Sequence, residues 1–285
     1  MKKILSLALL LCTFSTALVA QDKEFRQELS NFFNLGWATT ANNNFNAETF
    51  TNIFMLQLYE MPNCPYTTEA QKAEAAARLA RQYYDERGKS DFIDVAMPFY
   101  QKHLTTDELK KLNKQLKTDT KLFNTGNKLA DKSVMEQMAM TLMAQMMGSL
   151  QKIATGETPD PIITPQEKQD ALYIAVVEYC NASGISSSTI NALASNLAGM
   201  GQDEEQKKMM QALMEFLSTE LPSAYYKGCK GRITVDEVNY ITDFYKSPMG
   251  QKLVACSTEI LKDPITLANS LMTKTKEWLD KQELK

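Results

Sequence analysis

Residues 234–253 read TVDEVNYITDFYKSPMGQKL, a stretch in which one helix ends and another begins. Thr234 and Glu237 have the spacing of a capping box, in which each side chain accepts a hydrogen bond from a free backbone N–H of the first helical turn. Ser247 is a favourable cap, and Pro248 suits the first helical position because its missing N–H would have no partner there. The stretch therefore predicts two consecutive helices joined by a sharp turn.

Apolar residues recur with helical spacing elsewhere, as at Met210, Leu213, Met214, Leu217 and Leu221. No segment alternates apolar and polar residues for long enough to predict a strand. The chain has 285 residues, of which 44% are hydrophobic, and it can therefore bury one large core or two smaller ones. We expect an all-α fold.

A related pattern begins at Thr105, 129 residues before Thr234. Thr105 and Glu108 repeat the capping box, and the apolar positions that follow match at the same spacing: Leu109, Leu112 and Leu116 against Val238, Ile241 and Tyr245. Three prolines close together in 154–165 mark a linker between the two copies. We therefore expect two related helical half-domains of antiparallel helices, 21–153 and 166–285.

The phrase FYKSPMGQK at 244–252, preceded by the Thr-x-x-Glu box, resembles the DUF2059 family, a group of exported bacterial helical domains of unknown function. The resemblance is clearest at 225–262, with a divergent second copy at about 97–132. The residues that carry it are Thr234, Glu237, Phe244, Tyr245, Ser247, Pro248, Gly250 and Lys252. The resemblance implies a helical fold and export, and it assigns no catalytic residue.

The N-terminus has the parts of a secretory signal: Lys2 and Lys3, a short apolar run over 4–11, and small residues up to Ala20. The run is too short to cross a bilayer comfortably. We expect a signal peptide at 1–20, a periplasmic or secreted mature chain, and no membrane span after cleavage.

Composition and motifs exclude several chemistries. The formal charge of −3 argues against nucleic acid as a partner, and the single histidine argues against a histidine-rich metal centre. No glycine-rich phosphate loop and no GxSxG turn occurs. We therefore expect no catalytic residue, no cofactor and no metal; the alternative is an uncharacterised hydrolase-type enzyme whose site uses His103 or the paired acids.

Four cysteines follow the signal: Cys64, Cys180, Cys229 and Cys256. They contain no CxxC motif, and sequence alone does not choose among their three complete pairings. The pair Cys229–Cys256 is favoured because the helices on either side of Ser247-Pro248 run back along each other. A gap of about 8 Å would remain, which the loop around Gly228 would have to close.

Six methionines crowd the helical stretch 134–150. One interpretation is a core covered by the other half-domain. A second is an adaptable apolar groove for a lipid or peptide, lined by Met135, Met138, Leu142 and Met146. A third is a copper(I) site, since thioethers bind soft metals. Together these patterns predict a non-enzymatic helical binding or protein-interaction module of the cell envelope, whose partner is an envelope protein or a hydrophobic ligand.

Overall fold

The computed structural model describes residues 22–37, 47–186, 204–262 and 264–282. Every regular element within these ranges is helical, and none of these residues lies in a strand, which confirms the predicted all-α fold. The predicted signal peptide at 1–20 lies outside the described residues.

The helices follow one another closely along the chain. In chain order they are α1 (22–34), α2 (Ala47–Glu60), α3 (Glu69–Tyr83), a π-helix (Tyr84–Gly88), α4 (Lys89–Gln101), α5 (Thr106–Thr118), α6 (Thr120–Leu129), α7 (Lys132–Ala154), a short 3-10 helix (Glu167–Gln169), α8 (Ala171–Ser183), α9 (Glu204–Cys229), α10 (Val235–Lys246), α11 (Pro248–Lys262) and α12 (Pro264–Leu279).

These helices form two compact units, whose boundaries differ from those of the predicted half-domains. Of the described residues, the first unit contains 22–36, 47–118 and 264–282, and the second contains Trp37, 119–186 and 204–262. The boundary at 118/119 falls within the upstream copy of the repeated pattern. The predicted linker 154–165 lies inside the second unit, and residues 264–282 return to the first.

The proline-rich segment 154–165 is docked rather than extended between the units. Ile163 is only 2% exposed, and the N–H of Ile162 donates to the carboxylate of Glu220 on α9 at 3.0 Å. Lys152, near the end of α7, pairs with Asp160 at 2.6 Å. The apolar residues between the prolines bury surface that a free linker would leave in water, so this proline-rich segment is packed against the second unit.

In the first unit, α2 packs along α3, and α12 closes the same core. Phe54, Tyr83 and Trp278 meet there with ring centroids 5.4–5.8 Å apart, a spacing typical of favourable edge-to-face contacts. The buried carboxylate of Asp91 accepts a hydrogen bond from the Tyr83 hydroxyl at 2.7 Å, so this polar pair is satisfied inside the core.

In the second unit, α7 lies along α9 with opposite chain direction. Gly228, at the end of α9, sits against the backbone of Val134 at the start of α7, where a Cβ would lie 2.7 Å from the Val134 carbonyl oxygen. Beside this pair, α10 packs on α8 and α6, and Trp37 lies on the rings of Phe244 and Tyr245.

Both capping boxes are formed. Thr234 and Glu237 satisfy each other's backbone N–H groups, and Thr105 and Glu108 do the same at the start of α5. All six matched apolar positions after the boxes are buried. The local resemblance between the copies is therefore structural, although the chain does not divide into two half-domains at the predicted linker.

Acid pH should weaken the anchoring of the docked segment through Glu167. Its carboxylate accepts from Lys227 at 2.7 Å and from the N–H of Thr164 at 3.1 Å, and these interactions lower its pKa to about 2. A lowered folded-state pKa stabilises the fold above the ordinary glutamate pKa, and that stabilisation is lost as pH falls from about 5 to 2.

We expect Glu167→Gln to lower the Tm at pH 7, with a difference from wild type that shrinks towards pH 2. Thermal unfolding followed by circular dichroism across this range measures it. Glu157→Gln, at an exposed acid in the same segment, is the matched control and should show no such pH dependence. A difference between wild type and Glu167→Gln that stays constant with pH would contradict this role.

Candidate functional site

The methionine-rich helix α7 turns one face towards α9. Val134, Met138 and Ser149 are buried on that face, and Asp131 caps the helix by accepting from the N–H of Ser133. Their spacing of four and eleven residues keeps them on one side of the helix. Part of the methionine-rich stretch therefore does serve as core.

The predicted groove residues lie on or beside this packed face. Met138 is 7% exposed, and Met135, Leu142 and Met146 are half-buried. A different set is open to solvent: Met140, Met143 and Met147 are 62%, 65% and 72% exposed. These three are spaced i, i+3 and i+7, so they form a stripe of their own on the side away from α9.

Small residues separate the exposed methionines. Ala139, Ala144 and Gly148 are exposed beside them, and we call these six residues the methionine face. No charged residue occurs anywhere from 137 to 151. A contiguous apolar surface of this kind is typical of a binding site, whereas single exposed apolar residues are common and need no explanation.

A second feature of the same unit is a polar cleft of about 770 Å³ near the starts of α7 and α10. Its charged and hydroxyl-bearing lining residues include Lys121, Lys128, Asp131, Ser133, Arg232 and Glu237. Two of these charged side chains, Lys128 and Glu237, form an ion pair with each other.

Lys128 pairs with Glu237 at 2.5 Å, and this contact, with the N–H of Thr234, lowers the pKa of Glu237. Hydrogen bonds from the side chain and N–H of Ser133 lower the pKa of Asp131 in the same way. Both acids thus remain ionised and cap helices. The Ser133 hydroxyl donates to the Asp131 carboxylate, so both groups have a structural role at the start of α7.

The residues that carry the family resemblance have structural positions. The hydroxyl of Ser247 accepts from the N–H of Gly250, and α11 begins at Pro248 as its sequence indicates. Phe244 and Tyr245 are buried, and Lys252 is half-buried on the following turn. Thr234 and Glu237 cap α10. These residues build the α10–α11 turn, and they do not converge on a pocket of their own.

The four described cysteines are free thiols, so the predicted Cys229–Cys256 disulfide is not formed in this structure. Because α8 lies beside α9, the neighbour of Cys229 is Cys180, and burial together with this neighbour raises the pKa of the Cys180 thiol. Burial also raises the pKa values of Cys229 and Cys256 to about 12. Thiols this deeply protonated are poor nucleophiles.

The histidine of the enzymatic alternative, His103, is half-buried in the turn between α4 and α5. Among the residues that the structure describes, no three His, Cys, Asp or Glu side chains are grouped so that they would hold a metal ion. Within the same ranges, no helix combines the length and the apolar character needed to cross a membrane.

Comparison with known protein families, with curated proteins and with solved structures finds no match for this chain. Of the features described, the methionine face is the one that the fold of its own unit leaves without an explanation.

Proposed function

We propose that this chain is an exported, non-enzymatic interaction module whose methionine face binds an apolar surface in the cell envelope. The observation that carries the proposal is the exposure of Met140, Met143 and Met147 on one uncharged side of α7. The signal-like N-terminus and the resemblance to an exported helical family support the location.

Folding does not account for these methionines. Glutamate, lysine and glutamine have helix propensities close to that of methionine, so an ordinary solvated face would serve α7 equally well. Burying one large apolar side chain contributes about 1.5–3 kcal/mol. The three exposed methionines do not contribute this free energy to the folding of the isolated chain. They can contribute it to binding when a partner covers them. Their unbranched side chains adapt easily to the surface they meet.

Photo-crosslinking in the organism that makes the protein tests this function. A photoreactive amino acid replaces Met143, and a matched variant carries it at Gln211, an exposed polar position on α9. We expect a discrete adduct from position 143 and none from position 211. A protein adduct identifies an interaction module, whereas a lipid or peptide adduct identifies the hydrophobic-ligand alternative. Equal labelling from both positions, or none from 143, would contradict the proposal.

A further inference from the structure

We propose that the partner of the methionine face is a second copy of this chain, with the two α7 helices antiparallel about a dyad between Met143 and Ala144. This inference rests on the proposed function and names its partner. It follows from the order of residue types along the exposed side of α7.

That order is symmetric about the proposed dyad. Met140 and Met147 are equally distant from it, and so are the small residues Ala139 and Gly148. At the centre, Met143 of one copy lies opposite Ala144 of the other. In an antiparallel pair each methionine therefore meets a methionine or fits over a small residue, which is the self-complementarity that a two-fold interface requires.

The distribution of charge along the face agrees with the same register. Glu136 is exposed at its N-terminal end, where it pairs with Lys132 of its own helix at 3.6 Å, and the uncharged Gln151 is exposed at its C-terminal end. Antiparallel pairing places Glu136 of one copy opposite the uncharged Gln151 of the other. A parallel pair would instead bring the two Glu136 carboxylates together, so like charges disfavour it.

The length of the methionine face determines how tightly we expect two copies to associate. From Glu136 to Gln151 the helix rises about 22 Å, so one helix face from each copy gives an interface at the small end of the range for specific association. We therefore expect a weak, reversible dimer with a dissociation constant of the order of 10 µM.

Sedimentation velocity of the full chain between 1 and 200 µM tests the proposal. Wild type should pass from monomer to dimer over this range. Met143→Glu places two carboxylates next to the dyad and should weaken association at least tenfold, while its Tm stays unchanged because the side chain is exposed. Gln211→Glu adds the same charge on α9 and should leave association as in wild type.

Mixing two variants of opposite charge provides the decisive test of the second copy as partner. Met143→Glu and Met143→Lys should each remain monomeric alone and form a heterodimer when mixed, because opposite charges then meet beside the dyad. Wild type that is monomeric at 200 µM, or a Met143→Glu variant that dimerises as wild type does, overturns the second copy as partner. The crosslink from position 143 separates the two proposals: an adduct with a different protein would retain the proposed function and contradict the second copy as the partner of the methionine face.

Discussion

Gly250→Ala should destabilise the second unit by at least about 3 kcal/mol, a cost at the upper end for a single added methyl group. A Cβ at position 250 would lie 2.1 Å from the carbonyl oxygen of Phe244 and 2.5 Å from the Cα of Tyr245. Both atoms belong to the backbone of α10, so no side-chain rotation can relieve the clash. The whole α10–α11 turn would have to open, together with the packing of Phe244 and Tyr245 on Trp37.

Urea denaturation followed by tryptophan fluorescence measures this loss, because Trp37 reports on the site directly. Gly148→Ala is the matched control: nothing lies within 4 Å of the added methyl group, and the glycine is inside α7. That variant should gain about 0.5–1 kcal/mol from helix propensity when assayed at submicromolar concentration. Equal stabilities for the two variants would show that the α10–α11 turn is not packed as described.

Local features could be predicted from the sequence because local rules determine them. The capping box at Thr234 and Glu237 and the turn at Ser247-Pro248 depend on residues within a few positions of one another. Unit boundaries depend on long-range packing, which the prolines of 154–165 do not reveal: between them, the N–H of Ile162 donates to Glu220 on α9, and Ile163 is buried.

For the candidate site, too, the sequence predicts local features but not those that depend on long-range packing. Methionine content directed attention to α7, where the predicted groove residues Met135, Met138, Leu142 and Met146 are buried or half-buried and a different set, Met140, Met143 and Met147, is exposed. Amphipathic periodicity did not separate the two sides, because α7 is apolar over most of its circumference. The absence of charge from 137 to 151 was available as a signal, yet only the packing of α9 shows that Met138 is covered and Met143 is not.

Methionine oxidation provides the second large effect and the most direct view of the methionine face. Hydrogen peroxide transfers one oxygen atom to an accessible thioether, giving the sulfoxide and water. In dilute purified protein, Met140, Met143 and Met147 should be oxidised at least about tenfold faster than the buried Met138, because susceptibility follows exposure.

The central claim is that this face is covered where the protein works, and peroxide footprinting in intact cells, with oxidation read by peptide mass spectrometry, tests it. The account predicts that Met140, Met143 and Met147 are oxidised several-fold more slowly in the envelope than in the dilute purified chain, while the half-buried Met97 of the first unit, as internal reference, keeps its rate. Rates at the three methionines that are the same in both settings, relative to Met97, would contradict it.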